Sequence, residues 1–110
     1  QILVNLTDNA IKHSPPGSAV ELGLDFQPGR VFLWVEDQGE GIPPEDQERI
    51  FERFYRRGFE LRRETQGVGL GLAIVRYVAE AHGGKVTVRS QVGQGSRFTV
   101  ELPISPEAKP

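Results

Sequence analysis

Val31-Phe32-Leu33-Trp34-Val35-Glu36-Asp37-Gln38-Gly39-Glu40-Gly41-Ile42 is a strand that runs directly into a carboxylate and a glycine turn. Side chains alternate sides along a strand, so Val31, Leu33, Val35 and Asp37 share one face, while Phe32 and Trp34 share the other. The first face is read as the core-facing one, so Asp37 closes its row on the core side. A lone carboxylate there is costly unless it accepts a strong hydrogen bond. Upstream, Val20, Leu22, Leu24 and Phe26 alternate with Glu21, Gly23 and Asp25, and Pro28-Gly29 turns one run into the next. The two runs form a β-hairpin.

Working outward, residues 1–13 read as a helix, with Ile2, Leu3, Leu6 and Ala10 at helical spacing and Ser14-Pro15-Pro16-Gly17 as its stop. After the glycine turn, Pro44-Glu45-Asp46 reads as a helix start with acidic residues in its first turn, leading into Ile50, Phe51 and Phe54. Arg56 to Gln66 is polar and arginine-rich, and residues 43–66 together read as a lid. A second helix is expected from about Gly69 to Ala81, with Leu70, Ala73, Ile74, Val78 and Ala81 on its inner side. Gly83-Gly84 ends it. Lys85 to Ser90 and Arg97 to Leu102 alternate as two further strands around Gly93-Gln94-Gly95. The polar tail, 104–110, is expected to be disordered. Helix, two strands, lid, helix and two strands predict an α+β fold, a two-layer α/β sandwich with helices on one face of the sheet.

A chain of 110 residues has room for one core, here residues 1–103. Its hydrophobic fraction of 37% and charged fraction of 25% are those of a globular domain. A net charge of −2 argues against nucleic acid as a partner, since phosphate backbones call for a basic surface. The absence of Cys excludes disulfides and thiolate metal sites, and two separated His residues do not make a zinc site. No apolar run approaches the roughly 20 residues that span a bilayer, so no membrane contact by this domain is expected. With no Met and no targeting segment, the chain reads as an excised domain.

Three segments carry chemistry. In Asn5-Leu6-Thr7-Asp8-Asn9-Ala10-Ile11-Lys12, Asn5 and Asn9 are four apart and stack on one helix face, which Lys12 and His13 extend. Carboxamide oxygens are hard neutral ligands suited to Mg²⁺, and Lys12 is a point charge for a phosphate. The plainer alternative is the solvated face of an amphipathic helix. Asp37 could accept the exocyclic amine of adenine, with Gly39 and Gly41 letting the backbone close around a flat ring; the alternative is an ordinary Asp turn. Gly67-Val68-Gly69-Leu70-Gly71-Leu72 departs from the dinucleotide fingerprint, because its sixth position is Leu72 and no buried strand precedes it. It remains a glycine-rich turn opening a helix, a cradle for phosphates if it is more than a bare loop. The three together describe an ATP site. His82, before Gly83-Gly84, reads as a cap residue, whereas His13 lies on the Asn face within reach of a nucleotide. Neither His has the following acidic residue and apolar helix of a phosphate acceptor.

With these residues in view, the chain resembles the catalytic and ATP-binding domain of sensor histidine kinases, whose fold is shared with gyrase-type, mismatch-repair and heat-shock-chaperone ATPases. Asn5 to Ser14 resembles the N box, and Asp37 to Pro43 the first glycine box. Ile50-Phe51-Glu52-Arg53-Phe54-Tyr55-Arg56 resembles the F box, Gly67 to Val75 the second glycine box, and Gly93-Gln94-Gly95-Ser96-Arg97-Phe98 the last. The resemblance implies a Bergerat-type fold on a mostly antiparallel mixed sheet, with the family's first strands missing ahead of the opening helix. It implies Asn5 on Mg²⁺, Asn9 near metal and phosphates, Lys12 on the phosphate tail, Asp37 on the adenine amine and Arg56 on the γ-phosphate. Gly67, Val68, Gly69, Leu70, Gly71 and Leu72 would hold the triphosphate through their backbone, and His13, Gly39, Gly41 and Ile42 would line the nucleotide. Val68 stands where a hydroxyl residue is often found.

The resemblance further implies a protein-histidine kinase whose acceptor histidine lies on a separate dimerisation domain of a homodimeric protein. A response regulator would stand downstream, and this domain would be cytoplasmic, whether or not the full-length protein is anchored in the inner membrane. Two alternatives are a gyrase-type hydrolysing switch and a pseudokinase interaction module. Hydrolytic relatives carry a Glu general base four residues before the Asn at the place of Asn9, and here that position is Asn5, which cannot usefully accept a proton. A pseudokinase is expected to have eroded motifs, and these are intact.

Overall fold

The computed structural model describes residues 2–52 and 71–104. Helix α1 spans Ile2–His13, and Leu6 and Ala10, four apart and therefore on one side, are its buried residues. Lys12 and His13 occupy its last turn, where cations oppose the negative end of the helix dipole. The Ser14 hydroxyl then donates to the Ala10 carbonyl at 2.7 Å and satisfies one of the carbonyls a helix end leaves over. The expected hairpin is β1 (Glu21–Gln27) and β2 (Arg30–Asp37). Helix α2 spans Gly71–Ala81, and β3 (Lys85–Ser90) and β4 (Ser96–Pro103) complete the order.

The sheet runs β1-β2-β4-β3, and among the described residues every neighbouring pair is antiparallel. Register places Leu22, Val35, Phe98 and Val88 in one row across the four strands, on the face the helices cover. Val35, Phe98 and Val100 meet Leu6 and Ala10 of α1, Val75 and Ala79 of α2, and Ile42, Ile50 and Phe51 in one core. Phe51 and Phe98 pack edge to face, 6.1 Å between ring centroids. The two-layer α+β sandwich expected from the sequence is therefore the observed architecture.

Four details differ from the sequence pattern. On α2 the buried residues are Val75 and Ala79, whereas Ile74 and Ala81, expected on the inner side, are exposed. The helix expected after Pro43 consists instead of two single 3₁₀ turns, Pro44–Asp46 and Arg49–Phe51, and Glu52 is extended. Between them the Gln47 side chain donates to the carbonyls of Ile42 and Ser90, at 2.9 and 3.2 Å, anchoring the segment to neighbouring elements. Leu22, Leu24 and Phe26 lie on the helix-facing side of β1 yet are exposed, because α1 rests on β2 and α2 on β3 and β4. Past the end of β4, the Ile104 amide still donates to the Gly29 carbonyl at 3.0 Å. Residues 53–70 and 105–110, which include Phe54, most of the lid and the expected tail, lie outside the described residues.

At its C-terminus α2 closes with paired bonds from Gly84 N–H to Ala79 O and from Gly83 N–H to Glu80 O, the Schellman arrangement. The His82 ring nitrogen Nδ1 lies 2.8 Å from the Val78 carbonyl, so His82 serves the helix end. On the outer face, Trp34 lies across Gly23, and the Arg97 guanidinium stacks 4.1 Å from its ring centre.

Leu6→Ala, which empties a site 1% exposed between α1 and the sheet, should cost roughly 2–5 kcal/mol in chemical denaturation. Leu24→Ala, on a side chain 62% exposed, should change stability by about 0.5 kcal/mol or less. Equal losses would mean that the core does not centre on α1.

Candidate functional site

Asp37 is the last residue of β2 and the polar end of its inward row, 4% exposed. Its Oδ1 accepts the Gly39 amide at 2.8 Å. Burial pushes its pKa above the ordinary carboxylate range, because a charge taken from water is disfavoured. The Gly39 hydrogen bond, the nearby His13 and the Ser96 backbone amide pull the other way, while Glu36 adds to the rise. An ionised carboxylate can accept about four hydrogen bonds, so one held by two backbone amides keeps room for an incoming N–H donor.

The turn that follows is pressed between two elements. A side chain on Gly39 would collide with the His13 carbonyl at the end of α1, so no other residue fits there. Gly41 adopts φ 81° and abuts the Gln91 carbonyl; Gly95, at φ 87°, abuts the carbonyl of Asp37 itself. Both positions call for glycine on backbone angle and on space alike. Hydrogen bonds fasten the turn to the β3–β4 connection: Gly93 N–H to Glu40 O at 2.7 Å, and Ile42 N–H to Ser90 Oγ at 2.7 Å.

The second half of the site lies between the helices. Asn5 and Asn9 are both half-buried on α1. The Asn5 carboxamide oxygen would lie 3.4 Å from a Cβ placed on Gly71, the first residue of α2. The amide-bearing face of α1 is thus brought to the positive end of α2, where helix N–H groups lack internal partners. Lys12 is exposed at the far end of α1, and Leu72 packs against the core. Among the described residues no cluster of three His, Cys, Asp or Glu could hold a metal. The neutral oxygens of Asn5 and Asn9 do fit a hard cation that takes its remaining ligands from phosphate and water.

Of the residues singled out in the sequence, the structure brings Asn5 to Gly71, and His13 to Gly39 and Asp37. Gly41 and Ile42 continue the same turn. Arg56, Gly67, Val68, Gly69 and Leu70 lie outside the described residues. Ser90 and Gln47 were not picked out from the sequence, and Gly95 and Ser96 entered only as members of the last glycine box, with no role given to either. A signal existed for two of them: Ser90 and Ser96 stand on the inward side of their strands, in register with Val86, Val88, Phe98 and Val100, where a polar residue is out of pattern.

Residues 1–106 match the family described as histidine kinase-, DNA gyrase B-, and HSP90-like ATPase. The chain belongs to that family. It is 49% identical over 106 residues to the sensor-like histidine kinase SenX3 of Mycobacterium tuberculosis, an alignment covering 96% of this chain and 26% of SenX3. The structure of the mycobacterial sensor histidine kinase MprB matches with a TM-score of 0.78 and 39% identity, over 93% of this chain and 67% of that one. Full-length ShkA in complex with AMPPNP matches with a TM-score of 0.81 and 38% identity, over 98% of this chain and 22% of that one. These similarities place the chain on the sensor histidine kinase branch of the family, as a catalytic domain. It spans about a quarter of the length of SenX3. No helix among the described residues is long and apolar enough to cross a membrane.

The raised pKa of Asp37 sets a pH dependence for this histidine kinase-type domain. Its folded pKa lies above the unfolded one, so the native state binds this proton more tightly. The associated stability is fully present below the unfolded value of about 3.9 and is lost as pH rises through the folded value. Asp37→Asn removes the charge, so without ligand it should melt above the parent at pH 7, with the gap closing toward pH 4. A gap that does not change with pH would mean that burial of the Asp37 charge is not its source.

Proposed function

We propose that the chain is the ATP-binding catalytic domain of a sensor histidine kinase, using Mg²⁺ and passing the γ-phosphate of ATP to a histidine on a separate dimerisation domain of the same protein. The observation that carries this reading is the buried Asp37 carboxylate, with acceptor capacity to spare, beside a turn in which Gly39 leaves no room for a side chain. That pairing suits the flat, amine-bearing edge of adenine. Its position on a fold matched by ShkA bound to AMPPNP supports the same reading.

In this reading Asp37, Gly39, Gly41 and Ile42 receive the base, and His13 borders it. Asn5 and Asn9 share the metal, which would supply charge neutralisation at the phosphates. Lys12 adds a cation, and the backbone from Gly67 to Leu72 holds the phosphate tail. Arg56 is assigned to the γ-phosphate, where a guanidinium can meet charge that grows during transfer. Phosphoryl transfer asks for positioning and neutralisation more than for covalent chemistry by the protein, which this residue set can provide. Asn5 is a carboxamide where the hydrolytic branch uses a carboxylate to activate water, and this favours transfer over hydrolysis. A response regulator, a homodimer and a cytoplasmic location belong to the same proposal.

Intact protein supplied with γ-labelled ATP should acquire label that is stable to base and labile to acid, on a histidine outside this domain. Release of free phosphate without protein-bound label would favour the hydrolysing switch. Arg56→Ala should abolish most transfer while ATP affinity stays within about threefold, as expected for a contact made chiefly in the transition state. Arg63→Ala serves as the control for bulk lid charge, and equal activity of the two variants would remove Arg56 from its role. Asn5→Asp should weaken metal-free ATP more than Mg²⁺-ATP, because the new charge faces phosphates that the metal would otherwise shield. Equal weakening would exclude Asn5 from the metal.

A further inference from the structure

We propose that Ser90 is a positioning residue for base recognition, holding the Asp37–Ile42 turn in the shape that presents Asp37 and Gly39 to an adenine edge. The proposal rests on the ATP-binding reading above and adds to it a residue from the edge strand β3.

Register aligns Asp37 of β2 with Ser96 of β4, and Ser96 with Ser90 of β3. The three form a polar row across the end of the sheet on its helix-facing side, one step beyond the apolar rows of the core. Ser90 Oγ lies 2.8 Å from the Gly95 carbonyl, 2.7 Å from the Ile42 amide and 2.9 Å from Ser96 Oγ. A hydroxyl has one proton and two lone pairs. The Gly95 carbonyl can only accept, so the Ser90 proton goes there. The Ile42 amide can only donate and fills one lone pair, which leaves the other for the Ser96 proton. Each bonding position of Ser90 is thereby used, and the direction of every bond is fixed.

These bonds act on the turn from both ends. Ile42 closes the turn that Asp37 opens; its N–H is held by Ser90 Oγ and its carbonyl by Gln47, which also bonds the Ser90 carbonyl. Gly95 presses on the Asp37 carbonyl, and Ser90 fixes the peptide orientation of Gly95. A side chain that removes the hydroxyl releases the buried Ile42 amide and the Gly95 carbonyl together, and unpaired buried groups shift toward other partners. Asn5 lies eight residues, about 12 Å, back along α1 from His13, so the effect should fall on the base and spare the phosphate tail. An adenine amine donates to Asp37, whereas a guanine carbonyl would oppose it, so the ratio of ATP to GTP affinity reads the position of Asp37 directly.

The test is calorimetric titration of the intact protein with ATP and with GTP, each with Mg²⁺, in the parent, Ser90→Ala and Ser90→Thr forms. The ATP:GTP affinity ratio should fall about tenfold in Ser90→Ala, by loss of ATP affinity with GTP nearly unchanged. Ser90→Thr, which keeps the hydroxyl, should hold the ratio within about threefold of the parent. If Ser90→Ala does not fold, Ser90→Cys, similar in size but a weak hydrogen bonder, should show the same fall. An unchanged ratio, parallel losses for both nucleotides, or a Thr variant as impaired as the Ala variant would overturn the role of Ser90. Failure of the parent protein to bind ATP at all would instead overturn the nucleotide reading beneath it.

Discussion

An aspartate carboxylate shut away from water at a strand end is the constraint around which this domain is arranged. Burial disfavours its charge, and the surroundings return only part of what solvent supplied: the Gly39 amide, the Ser96 amide and the nearby His13. To bring those groups close, the backbone must approach where side chains cannot, which accounts for Gly39 against α1 and for Gly41 and Gly95 against the β3–β4 connection. Glycine is the least favourable residue to order, so a tight turn rich in it gains from external ties. Ser90, Gly93 and Gln47 supply them.

Helix α1 joins this arrangement to the second half of the site. Its final carbonyl, at His13, caps the aspartate turn, while Asn5 near its start faces the first residue of α2. Eight residues at 1.5 Å each put about 12 Å between those positions. One rigid element therefore sets the spacing between the place proposed for a base and the place proposed for phosphates. The burial of Leu6 and Ala10 along the same helix makes that spacing a property of the core.

Much of this was legible in the sequence because period carries the fold: alternation in the four strands, four-residue spacing in α1 and glycines at the element ends. Alternation put Asp37 on one face with Val31, Leu33 and Val35, although Phe32 and Trp34 make the opposite face apolar as well. Local pattern did not reveal where long-range hydrogen bonds end. Pro44-Glu45-Asp46 does begin a helical turn, yet its continuation is broken where Gln47 turns to Ile42 and Ser90. Ser90 could be read only as the end of a strand, since its three partners are supplied by Ile42, Gly95 and Ser96 after folding. The alternation in β1 correctly assigned Leu22, Leu24 and Phe26 to the helix-facing side, but could not reveal that the helices sit over the other strands.

Trp34 is the single tryptophan of the chain, and its indole is half-buried on the outer face of β2 with a guanidinium against it. Asp37 is three residues along the same strand but faces the other side of the sheet. The domain thus carries an intrinsic fluorophore whose emission follows the pairing of β2 with β4, on the face turned away from any ligand seated against Asp37. Optical melting curves of this chain can therefore follow the sheet itself, with occupancy of the opposite face entering only through its effect on the midpoint.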